Sequence, residues 1–184
     1  AFESKLHQLG FQFEVLNQAE ALLPKHKKTV LPIVMKYYAL AKNPAEKSEL
    51  LRWLHHKGFE EAVPMLLADY CSDRTPDTTR WFISDTVFEI RSRKYVQDYL
   101  RIVSDPTFGR NRQMLVLLLG KLKEESAIPV LIDLLEDEEV RLHAISALGQ
   151  FKREEFRGYF ERFQNASHAG WRKYAREALK KLDK

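Results

Sequence analysis

The chain has 184 residues, 45% of them hydrophobic and 30% charged, with a formal net charge of +4, the profile of one soluble globular domain over residues 1–184. Its longest apolar run, Met114 to Leu119, is far short of the ~20 residues that a bilayer span needs, which excludes a membrane partner by this route. A single cysteine, Cys71, excludes an internal disulfide and favours a reducing, cytoplasmic setting. The chain opens at Ala1 without methionine, which reads as a trimmed or processed start and leaves room for a removed signal. Valine, isoleucine and threonine never alternate, and neither Asn-Gly nor Asp-Gly occurs, so an all-α chain is expected.

The first expected element is an amphipathic helix through Leu6, Leu9, Phe13 and Leu16, which caps the N-terminal end. A faint helix pair comes next, with Val30-Leu31-Pro32-Ile33-Val34-Met35 as its first helix and Leu50, Leu51, Trp53 and Leu54 on its second. Glu61-Ala62-Val63-Pro64-Met65-Leu66-Leu67 opens another pair, whose second helix carries Arg80, Ile83 and Val87. A third pair uses Tyr95, Val96, Tyr99, Leu100 and Val103, then Arg112, Leu115, Leu118, Leu119 and Gly120.

The clearest copy has Ile128, Leu131, Ile132 and Leu135 on one helix and Val140, Ala144, Ala147 and Leu148 on the next, with Gly149 as the stop. Trp171, Arg172, Ala175, Ala178 and Leu179 repeat Val140, Arg141, Ala144, Ala147 and Leu148, which puts Trp171 in the core. Proline recurs as Pro32, Pro64 and Pro129, where a first helical turn has no use for the missing N–H. Small residues on the second helices allow close approach between layers. A unit of ~30 residues buries its apolar side only against neighbours, so about five pairs in single file are expected.

No residue set announces catalysis. The histidines His7, His26, His55, His56, His143 and His168 lack the i, i+4 spacing of a zinc helix, and adjacent His55 and His56 point about 100° apart. Glycine is too sparse for a phosphate-cradling loop, so no metal or cofactor is expected. Cys71 reads as a small buried hydrophobe. The loop Cys71 to Thr79 either caps the following helix or projects over a binding face. Acid gathers at Glu124, Glu125, Asp133 and Glu136 to Glu139, and base at Lys25 to Lys28 and from Arg172 to Lys184, either as solvated helix ends or as a nucleic-acid footprint. Arg80, Arg112, Arg141 and Arg172 hold one slot in successive copies. There they either tie turns down, as Arg141 would with Asp137, or contact a ligand or phosphate. Trp81 and Asp85 are four apart on one helical face, and the register sets Trp53 beside Asp85.

These columns, with Asp137 in a turn and Arg141 early in the next helix, resemble HEAT repeats, particularly the short bacterial kind also seen in phycobilin-lyase-type proteins. Ser48 departs by occupying the arginine slot of the first pair. The resemblance implies a right-handed α-α superhelix, a HEAT-like solenoid of about five helix pairs plus an N-terminal helix, acting as a non-enzymatic module. It would bind a protein or peptide on its concave face, with Trp53, Trp81, Asp85 and Arg112 as contacts. Trp81, Asp85 and Arg112 also resemble, distantly, the Trp-x-x-x-Asp step and following arginine of HEAT-like DNA glycosylases that excise alkylated bases. That likeness implies a nucleic-acid partner, with Asp85 stabilising positive charge on the sugar.

Overall fold

The structure, a computed structural model, describes residues 2–10 and 25–183. Of the expected first helix, α1 (Phe2–Gln8) is present, with Leu6 buried and Leu9 exposed, while Phe13 and Leu16 lie outside the described residues. Five helix pairs follow, and no strand occurs among the described residues. No described helix is long and apolar enough to cross a membrane. Composition predicts one domain over 1–184; the chain's contacts group into two compact units, residues 1–92 and 93–184.

Unit 1 holds α1 and two pairs, α2 (Lys27–Leu40) with α3 (Pro44–Leu54) and α4 (Val63–Tyr70) with α5 (Asp77–Ile90). Helix α3 starts where Asn43 accepts a hydrogen bond from the Glu46 amide at 2.9 Å, with Pro44 at the first position, so side chain and ring both settle the orphan donors of a helix start. Pro64 sits likewise in the first turn of α4, but Pro32 lies inside α2, which begins five residues earlier at Lys27. There the ring does remove a helical hydrogen bond. The pairs stack through their second helices, α3 on α5, over a core of Leu51, Leu54, Leu66, Ile83 and Val87, each buried side chain contributing about 1.5–3 kcal/mol.

Polar ties join the two pairs as well. Asp69 on α4 accepts from Tyr38 of α2 at 2.6 Å and from Lys47 of α3 at 2.7 Å, and Thr75 donates to its carboxylate at 2.9 Å. Thr75 also reaches the Asp69 carbonyl at 2.7 Å, so the loop after α4 is pinned to its own pair and α5 starts at Asp77. Burial pushes the Asp69 carboxyl up, but the bonds from Lys47, Tyr38 and Thr75 outweigh it and hold the group below its usual range.

Unit 2 holds α6 (Val96–Val103) with α7 (Gln113–Leu122), α8 (Ile128–Asp133) with α9 (Arg141–Leu148), and α10 (Arg157–Glu161) with α11 (Ala169–Leu182). Its second helices lie in order α7, α9, α11, each backed by its first helix. They are parallel, since start meets start and end meets end. A Cβ on Gly170 would come within 2.6 Å of Leu142 near the helix starts, and one on Gly149 within 3.0 Å of Ala178 near the ends. At Gly120 the approach is closest, with the Ala147 Cα only 2.4 Å from such a Cβ. Gly149 was expected as a left-handed stop, but its φ of −63° is ordinary; it is small because Ala178 presses on it.

Left-handed residues do occur at or just beyond second-helix ends: Gly58 (φ 84°) follows α3, but the next three are not glycine. Arg91 (φ 60°), Lys123 (φ 49°) and Lys152 (φ 55°) recur at the same place in three successive copies. An L side chain there costs about 1–2 kcal/mol relative to right-handed backbone.

Candidate functional site

The four residues expected as contacts divide between surface and interior. In unit 1, Trp81 is 41% exposed and its neighbour Phe82 44%, and their rings meet edge to face at 5.4 Å on α5. Asp85, one turn on, is partly exposed and faces His55 at the end of α3, with Nδ1 at 3.6 Å from its carboxylate. This brings Trp81, Phe82, Asp85 and His55 onto the side formed by the second helices. Trp53 was expected beside Asp85; it is 1% exposed and packs edge-on against Phe2 at 4.9 Å. Its large ring closes α3 against α1, so it offers no surface to a partner.

Arg112, in unit 2, is also 1% exposed. Its Nε donates to the Gly109 carbonyl at 2.9 Å, Nη1 to the Val103 carbonyl at 3.2 Å, and Nη2 to the Asp137 carboxylate at 2.6 Å. All three arms of the fork are committed. The other arginines of the slot do the same work: Arg80 binds the Tyr70 and Ser72 carbonyls, Arg141 those of Leu135 and Glu136, and Arg172 those of Ala166 and Ser167. Each guanidinium gathers the carbonyls left unpaired beyond the first helix of its own pair, a natural place for positive charge. In the first pair, Ser48 bonds only its own helix at the Pro44 carbonyl, and Lys47 supplies the tie through Asp69.

One expected partnership is corrected. Arg141 does not bind the Asp137 carboxylate; that group takes Arg112 from the preceding pair and caps the Glu139 amide at 3.0 Å. The turn acid therefore links neighbouring pairs instead of closing its own. Burial raises the Asp137 carboxyl, but bonds from Arg112 and the Glu139 amide prevail and hold it below the usual carboxylate range.

At the starts of α7, α9 and α11 a shallow cleft of about 520 Å³ runs between Gln113, Glu139, Leu142, His143, His168 and Trp171. Trp171, expected in the core, is half-buried. The Arg141 guanidinium lies 4.3 Å from its ring centroid and the His168 ring stacks at 4.6 Å. His143 has a buried Nδ1 with no hydrogen-bond partner among the described residues, and burial pushes its pKa down to about 4. Between the ordinary value near 6.5 and about 4, the unfolded chain therefore takes up a proton that the folded one refuses. Stability from this group is full above pH 6.5 and falls as acid is added through that window. The urea midpoint of the wild type should drop between pH 7 and pH 4.5, and His143→Leu should flatten that drop. Equal slopes in both proteins would contradict a neutral, half-buried imidazole.

Cys71 stands at the C-terminal cap of α4 and is half-buried, less enclosed than a core hydrophobe. Sequence reasoning missed Phe82, which carries no periodic signal apart from its neighbour. It also missed the Asp69 hub, whose donors are scattered across 38 positions of chain.

Stacked helix pairs with parallel second helices and turn-capping arginines define an all-α helical-repeat protein. The family model for HEAT repeats matches residues 100–180, a stretch inside unit 2, so that part of the chain is built of HEAT repeats. No curated protein matches the chain.

Proposed function

We propose that this chain is a non-enzymatic interaction module that captures a protein or peptide on the second-helix side of unit 1. HEAT repeats generally serve as protein-interaction scaffolds. The observation that carries the assignment is the exposed pair Trp81 and Phe82. Two large aromatic rings side by side in water are costly to leave uncovered and are the residue types on which binding energy concentrates. Asp85 and His55 supply a polar rim that a partner's backbone or basic side chain would meet.

Trp53 supports this surface from within by fixing α3, whereas Arg112 fixes a turn in unit 2. A second reading, action on alkylated bases, requires Arg112 to hold a nucleic-acid backbone. A buried guanidinium with every arm occupied does not support that role.

Capture from lysate with wild type and with the Trp81→Ala, Phe82→Ala double variant tests the proposal. Both residues are exposed, so the variant should keep its helical circular dichroism while partner affinity falls by about 30-fold or more, the scale of losing a hot spot of 2 kcal/mol or above. Hydrogen exchange with the captured partner should show protection of α5. Unchanged capture by the double variant, or protection confined to other helices, would defeat it.

A further inference from the structure

We propose that one edge of unit 2 binds nucleic acid along its phosphate backbone through Lys121, Lys123, Lys152, Lys180 and Lys181, independently of the aromatic surface of unit 1. The first ground is where the charge lies. Residues 1–92 balance twelve Lys and Arg against twelve Asp and Glu, whereas residues 93–184 carry eighteen against fourteen, so the whole net charge of +4 belongs to unit 2.

The second ground is geometry. Because α7, α9 and α11 run parallel, their C-terminal ends share one edge, marked by the contacts of Gly120 with Ala147 and of Gly149 with Ala178. Lys121 and Lys123 end α7, Lys152 follows α9, and Lys180 and Lys181 fall in the last turn of α11.

The third ground is a division of labour between the two kinds of cation. Every arginine on this edge is consumed by the turns: Arg93 binds Glu124 and the Leu122 carbonyl, Arg153 binds Glu125 and Glu155, and Arg157 binds Glu154 and Asp183. Those pairings occupy the edge's carboxylates. The five lysines have no ion pair or hydrogen bond among the described residues, and all but the half-buried Lys181 are exposed.

Helix dipoles account for lysines in a last turn, but not for keeping Lys123 and Lys152 at φ 49° and 55°, where glycine fits without strain. Persistent backbone strain under a charged side chain points to use of that side chain. The occupant follows from the chemistry. Lysine is a compact, hydrated point charge without a planar fork, suited to phosphates in any register and poor at reading a specific group. Helices packed about 8–10 Å apart set these charges along an edge about 20 Å long, which suits a densely charged polymer and sequence-independent binding.

The test is fluorescence anisotropy with a labelled 20-base-pair duplex of arbitrary sequence between about 50 and 200 mM salt. Three to five phosphate contacts predict a slope of log affinity against log salt of about −3 to −4.5. Replacing Lys121, Lys123 and Lys152 by Gln should flatten it by about 2.7, and Lys180→Gln with Lys181→Gln by about 1.8, an independent variant should the first misfold. Lys36→Gln with Lys42→Gln in unit 1 should leave the slope unchanged, as should Trp81→Ala, whose failure in partner capture would be a separate result. No binding by the wild type at 50 mM salt, wild-type slopes in both edge variants, equal loss in the unit 1 control, or binding to phosphatidylserine vesicles without binding to DNA would each overturn the proposal.

Discussion

Arg112→Ala is expected to lower the unfolding free energy of unit 2 by about 3–5 kcal/mol, the range for removing one partner from a buried ionic network. Three losses combine. The Gly109 and Val103 carbonyls lose their donor, at about 1–3 kcal/mol for each acceptor left buried and unpaired. Asp137 loses the neighbour that holds it ionised, although its partial exposure lets water compensate. A cavity opens where a fully enclosed side chain stood. Arg112→Met separates these terms, since it keeps most of the volume and discards the hydrogen bonds. Urea unfolding followed by circular dichroism, with hydrogen exchange over residues 93–184, would measure both. A loss under about 1 kcal/mol for Arg112→Ala would show that the network is not structural.

Gly120→Ala should be the second most damaging change, despite adding only a methyl group. In an ordinary helix the replacement gains about 1 kcal/mol. Here the new Cβ would stand 2.4 Å from the Ala147 Cα and 2.7 Å from its carbonyl oxygen, and backbone does not rotate aside as a side chain does. The α7–α9 layers must separate, and overpacking of that kind costs about 1–3 kcal/mol or more. A net loss of about 2 kcal/mol is expected. Gly158, inside α10 with nothing within 4 Å of its Cβ, provides the opposite case: alanine there should stabilise by up to about 1 kcal/mol. Similar effects at the two positions would mean that the close contact does not govern stability.

The repeat architecture was legible because apolar columns recur at a near-constant interval, and a column such as Val140, Ala144, Ala147 and Leu148 has one helical face to bury. What escaped was whatever depends on the third dimension. Arg112 and Arg141 look alike in sequence, and nothing in the chain says which of them Asp137 will meet; the answer crosses 25 residues and follows from how pairs stack. Trp53 and Trp81 both sit on second helices, yet only the position of α1 decides that one is enclosed and the other open. Pro32 and Pro129 share a local pattern, but Lys27 to Leu31 continue the helix ahead of the first, while a short 3₁₀ turn precedes the second. Gly149 carried the usual signal of a left-handed stop, and three residues that do adopt that conformation, Arg91, Lys123 and Lys152, carried none.

Those three positions have a wider implication. A bare backbone would turn those corners at lower cost, so the molecule sits below the stability that its own architecture permits. The shortfall is small at each corner and recurs in three successive copies, trading robustness at two of them for exposed lysines one repeat apart.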